Sequence, residues 1–149
     1  MGHPVNWFQI SGRESGPLAD FYTKAFAWKM GPSPDGSPMM MVAPDKGGIA
    51  GGIAASRDGN ANVTVYIGCD DLEEHLRQIE ELGGHTAMPP MELPGGYGHI
   101  AGFTDPAGNW VGLWQSPKKE KVAKKSAGKR KKAGKKAGKK KTKGKRGKK

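Results

Sequence analysis

The sequence predicts an α+β domain followed by a basic tail with no fold of its own. Three observations carry this. Two helical patterns, at 15–26 and 70–84, each follow an apolar extended segment. Each is followed by short extended pieces punctuated by Gly and Pro, so the chain reads βαβββ twice over. After Pro117 apolar residues nearly vanish and lysine takes over, which sets the boundaries at 1–117 and 118–149.

The elements follow in order. "VNWFQI" (5–10) alternates aromatic and β-branched residues, as a strand does. In "SGPLADFYTKAF" (15–26), Ser15 is placed to cap a helix, Pro17 suits its first turn, and Leu18, Phe21, Tyr22, Ala25 and Phe26 form one apolar stripe. "PMMMVAP" (38–44) and "GGIAGGIAA" (47–55) read as meander strands. "RDGNAN" (57–62) is a loop, and "VTVYIGC" (63–69) is the strongest strand signal. In the second helix Asp71 and Glu74 make a capping-box pattern, Leu72, Leu76, Ile79 and Leu82 line one side, and Gly83-Gly84 ends it. "TAMPPMEL", "YGHIAGFTD" and "NWVGLWQ" complete the second half.

Charge divides the chain at the same boundary. Residues 118–149 hold 17 Lys and 2 Arg against Glu120 alone, whereas residues 1–117 hold thirteen carboxylates and six cations, a net of −7. The tail repeats "AGKK" at 133–136 and 137–140, with "AGKR" at 127–130. Such a polycation suits nucleic acid, and lysine–phosphate contacts carry little sequence information. Lys124, Lys125, Lys129, Arg130, Lys131, Lys132, Lys135, Lys136, Lys139, Lys140, Lys141, Lys143, Lys145 and Arg146 are the expected contacts. The tail lacks the amphipathic pattern of a membrane-inserting segment and the aromatics that stack on bases. Cys69 has no cysteine partner for a disulfide, and no run approaches a membrane span. The N-terminus lacks a signal-peptide pattern, and Asn6 argues against myristoylation, so a cytoplasmic or nucleoid-associated location is expected.

Paired βαβββ modules, "FYTKAFAW", "VTVYIGCDDLEEHLRQIEELGG" and "TDPAGNWVGLW" together resemble the vicinal-oxygen-chelate superfamily of glyoxalase I, bleomycin-resistance and extradiol-dioxygenase proteins. The resemblance covers about residues 4–116, while the tail resembles linker-histone-like tails in composition only. It implies two modules rolled into an open barrel around a cleft, dimerisation, and a divalent metal held by His, Glu or Gln from the first and last strand of each module. Carried over by spacing, three of those positions fall on Trp7, Thr64 and Gly112, and "GGIAGGIA" offers no ligand side chain for the fourth. Indole and glycine donate nothing and a threonine hydroxyl is a poor ligand, so no metal and no other cofactor is expected.

Trp7, Trp110 and Trp114 share the strand parity of those positions, and so do Gln9 and Tyr66. With His99, whose strand the resemblance places at the border of the cleft, the expected cleft is Trp7, Gln9, Thr64, Tyr66, His99, Trp110, Gly112 and Trp114, either open to a small apolar or aromatic ligand or plugged by its own rings. His99 and Tyr66 are the candidates for proton transfer. His3 in a frayed terminus, His75 on the second helix and His85 after the Gly-Gly stop are expected to be structural or solvent-facing, and Glu92 has no evident partner. The glycines at 47–52 lack the lysine and following helix of a phosphate loop. Asp70 and Asp71 beside Cys69 argue against a reactive thiolate. Three functions remain open: a metal-free ligand-binding domain tethered to nucleic acid, a metal-independent enzyme in the same cleft, and an architectural DNA-binding protein whose body dimerises.

Overall fold

The computed structural model describes residues 1–118; the Lys-rich segment beyond, with the tail contacts and disorder expected there, lies outside the described residues. The first module comprises β1 (Val5–Gly12), α1 (Ser15–Phe26), β2 (Met30–Pro32), β3 (Met40–Val42) and β4 (Ala50–Ala55). The second comprises β5 (Asn62–Gly68), α2 (Leu72–Glu81), β6 (His85–Glu92), β7 (His99–Thr104) and β8 (Trp110–Gln115), with one 3-10 turn at Pro94–Gly96. All eight strands form one mixed sheet in the order β2-β3-β4-β1-β5-β8-β7-β6, and the edges β2 and β6 do not pair with each other. The two modules meet where β1 and β5 run antiparallel, with Trp7 opposite Tyr66 and Gln9 opposite Thr64. Outside this pair, β4 lies parallel to β1 and β8 parallel to β5, so the halves are related by an approximate twofold.

Strand alternation sorts side chains onto two faces. On one face α1 covers Val42 and Ile53, with Phe8, Ile10 and Trp28 packed against them. On the same face α2 brings Leu72 and Leu76 onto Ala101 and Leu113, joined by Ile67 and Phe103. Trp7, Gln9, Tyr66, Gly112 and Trp114 have the opposite parity and point to the other side of the sheet. The fold is therefore a pair of small cores under one sheet, with its second face left for a cleft.

Several local expectations are corrected. Ser15 lies inside α1, whose N-cap is Glu14 and has no side-chain capping bond. Phe21 and Phe26 are about 60 % exposed, and Ala19 is the residue of α1 that is buried. Helix α2 is shorter than the 70–84 pattern. Its Asp71 side chain does accept from the Glu74 N–H at 3.0 Å, but Glu74 turns its carboxylate to Arg77 instead of closing a capping box. Leu82 is exposed just past the helix end, where Gly83 takes φ 93. His3 is tied down: its Nδ1–H donates to the Gly68 carbonyl at 3.1 Å and its Nε2 meets the Nε2 of His75 at 3.0 Å. Cys69 is buried, and burial first, then the Asp70 charge, pushes its thiol pKa up. Acidic neighbours are thus the secondary cause.

Candidate functional site

The exposed face of the sheet bears a cleft of about 330 Å³ that spans both modules. Its floor is Trp7 and Gln9 of β1, Tyr66 of β5, Ile100 of β7 and Trp114 of β8. One wall is the β2–β3 connection, with Ser33, Asp35, Ser37 and Met39; the other is Leu93 and Tyr97, either side of the 3-10 turn. A bulge between Val5 and Trp7 lets Asn6 line the cleft beside its neighbour. The indole N–H of Trp114 donates to the Tyr97 carbonyl at 2.9 Å, which holds the wall against the floor. Gln9 donates to the Ser11 hydroxyl at 3.0 Å. Burial pushes the Tyr66 phenol up from its ordinary pKa, so at neutral pH it is a protonated donor and not a base.

Of the residues expected at the cleft, Trp7, Gln9, Tyr66 and Trp114 line it, and Thr64, His99, Trp110 and Gly112 do not. His99 carries the parity of Ala101, the core residue under α2, so its neighbour Ile100 reaches the cleft and His99 lies exposed opposite Glu92 and Gln115. Thr64 is buried beside Gln9. Trp110 lies beyond Tyr66, edge-on to its ring at 6.1 Å between centroids, and covers Gly102. Both lining walls are absent from the sequence-based expectation. They come from loops, whose residues obey no strand period, and the Ser33–Ser37 turn is the signal that could have marked one of them.

The implied metal finds no fit here. The parallel pairing of β8 with β5 sets Gly112 opposite Tyr66, and that of β4 with β1 sets Gly52 opposite Gln9, so the two glycines are equivalent positions of the two modules. A Cβ on Gly112 would clash with the Tyr66 ring at Cδ1, Cε1 and Cγ, and one on Gly52 would meet the Met39 sulfur and Trp7 Cζ2. Side chains thus fill the space in which last-strand carboxylates would stand. Among the described residues no three His, Cys, Asp or Glu side chains come together. Divalent ions need several convergent donors, so no chemical step is derived through a metal.

The comparisons agree with this architecture. The Glyoxalase-like domain family model matches residues 8–113. CFP32 of Mycobacterium tuberculosis, which its name places provisionally among the glyoxylases, is 29 % identical over 118 residues, covering 74 % of this chain and 45 % of its own. The anthracycline biosynthesis protein DnrV of Streptomyces peucetius is 29 % identical over 126 residues, covering 73 % and 46 %. The chain therefore spans about half the length of the curated relatives it matches. Among solved structures, the hypothetical protein BH1468 of Bacillus halodurans superposes with TM-score 0.57 at 13 % identity, covering 78 % of this chain and 96 % of that one. A glyoxalase/bleomycin resistance protein/dioxygenase superfamily member from Vibrio splendidus superposes with TM-score 0.51 at 12 % identity, covering 77 % and 100 %. Among the described residues no helix is long and apolar enough to cross a membrane. By the family match over residues 8–113, the chain belongs to the Glyoxalase-like domain family.

Proposed function

We propose that the domain binds a small ring-bearing molecule in its cleft without a divalent metal, and that the Lys-rich tail holds it on nucleic acid. The observation that carries the first half is the aromatic enclosure: Trp7, Tyr66, Tyr97 and Trp114 surround a space large enough for a small ligand. Glycine at 112 leaves room for the Tyr66 ring, and glycine at 52 for Met39 and the edge of Trp7, where a ligating side chain would otherwise stand. The name of DnrV, which places that protein in anthracycline biosynthesis, fits a cleft for fused-ring molecules. Native mass spectrometry of the purified full chain tests this half. A retained organic molecule, lost when Ile100→Trp fills the floor, is the expected result; stoichiometric zinc, nickel, manganese or iron overturns the metal-free reading.

For the second half, the tail's 19 cations face a body of −7, so polyanion binding should belong to the tail alone. Full-length protein should bind duplex DNA with a steep salt dependence, each neutralised phosphate adding about −0.9 to the slope of log K against log salt. Removing residues 118–149 should abolish binding; retained affinity would place the nucleic-acid site elsewhere. A second copy of the chain is the partner we propose for the exposed Phe21 and Phe26 of α1, and sedimentation equilibrium showing only monomer would refute it. Should the cleft prove catalytic, the neutral Tyr66 phenol is its available acid, since His99 lies on the other face.

A further inference from the structure

We propose that the cleft selects a planar aromatic ligand that carries a positive charge, with the Asp35 carboxylate as its counter-charge. This rests on reading the cleft as a ligand site and adds the chemical class of the ligand. Asp35 is the single carboxylate among the lining residues, and no Lys, Arg or His is among them. An anionic ligand would bring a second negative charge into a cleft whose residues offer no cation to meet it.

Asp35 is also shaped for the task. Its Oδ1 accepts the Ser33 hydroxyl at 2.6 Å and the Ser37 N–H at 2.9 Å, across a turn made possible by Gly36 at φ 74. Its Oδ2 has no protein donor among the described residues and remains free to accept one from a ligand. The hydrogen bonds from Ser33 and then Ser37 hold the carboxyl below its ordinary pKa, so the charge is present wherever the domain is studied near neutrality. The Trp7, Tyr66, Tyr97 and Trp114 rings supply the complementary part: electron-rich faces attract a delocalised cation and stack on its plane. Because Asp35 is exposed, its contribution is to selectivity more than to total affinity.

The test is a pair of three-ring dyes titrated into the full chain and read by tryptophan quenching: 9-aminoacridine, a cation near neutral pH, and acridone, its neutral counterpart. The cation should bind about tenfold more tightly, and added salt should narrow the gap. Asp35→Asn, which keeps the Oδ1 acceptor and hence the turn, should weaken 9-aminoacridine about three- to tenfold and leave acridone unchanged. Equal affinities in the wild type, or a cation preference that survives Asp35→Asn, overturn the charge assignment while leaving the cleft a ring-binding site. Failure of both dyes to bind overturns the ring-binding reading itself, and this inference with it.

Discussion

Helices α1 and α2 occupy equivalent places on the two halves of the sheet, yet they are held in different ways. α2 is determined largely by its own segment. Asp71 caps its first turn, Arg77 bridges Glu74 and Glu81 along its solvent side, and Leu72 and Leu76 are buried beneath it. α1 has no side-chain cap, and its one buried residue is the small Ala19. Its anchorage is aromatic: Tyr22, Phe26 and Trp28 form a three-ring cluster in which Tyr22 stacks on each of the other two, and Trp28 tilts onto Phe8 of β1. The difference teaches that one plan can be stabilised by local chain chemistry in one module and by inter-element rings in the other. The exposed rings of α1 are then available for an outside contact.

The largest expected contrast lies in what each helix buries. Leu72→Ala should cost about 2–5 kcal/mol, because a side chain 2 % exposed leaves a cavity in the α2 core. Phe21→Ala, at a residue 60 % exposed, should cost the monomer under about 1 kcal/mol. Urea unfolding of both variants measures this, and equal losses would erase the distinction between the helices.

The equivalent glycines come next. Gly112→Ala drives a methyl into the rigid Tyr66 ring and should destabilise by about 1–3 kcal/mol. Gly52→Ala meets mainly the Met39 thioether, a flexible side chain that can turn aside, so its cost should be smaller. Thermal melts that rank the two in the reverse order would show that the modules do not differ in this way.

Smaller still is the capping contrast. Asp71→Ala removes the acceptor for the Glu74 N–H and should cost about 1 kcal/mol, whereas Glu14→Ala at the N-cap of α1 should stay within about 0.5 kcal/mol. Denaturant titration read by far-UV circular dichroism distinguishes them.

The smallest effect concerns the turns before β4 and β8. Asp105 accepts from the Ala107 and Asn109 N–H groups, both at 2.9 Å, and from the Asn109 amide at 2.8 Å. In the first module, by contrast, the turn is closed by a backbone bond from Gly48 to Asp45. The hydrogen bonds from Asn109, its side chain first, hold the Asp105 carboxyl below its ordinary value. Its stabilising contribution is therefore complete above that ordinary value, and is lost as pH falls through the lower, folded one. The acid-dependent decline in Tm over this range should be slightly smaller in Asp105→Asn, the lowered carboxyls of Asp35, Asp58 and Glu74 carrying the rest. An unchanged decline would assign it to other carboxylates.

Much of the domain was legible in the sequence because it is set by short-range rules. Strand alternation marked β1, β5 and β8, the periodic leucines marked α2, and the Asp105–Asn109 turn is a local hydrogen-bonding unit. Parity, referred to the ligand positions that the resemblance implies, put Trp7, Gln9, Tyr66 and Trp114 on one face. The resemblance put the strand of His99 beside the cleft without fixing which of its faces looks inward; Ala101 under Leu72 and Leu76 settles that only in the folded sheet, and leaves His99 on the helix side. Composition likewise determined the division of charge between body and tail, which needs no fold at all. Only the tertiary structure decided that the Ser33–Ser37 turn and Tyr97 close over the same floor, and that Gly52 and Gly112 are partners across an approximate twofold. Those relations depend on contacts between residues remote in sequence. Backbone pairing across the sheet creates them, and no local pattern encodes them.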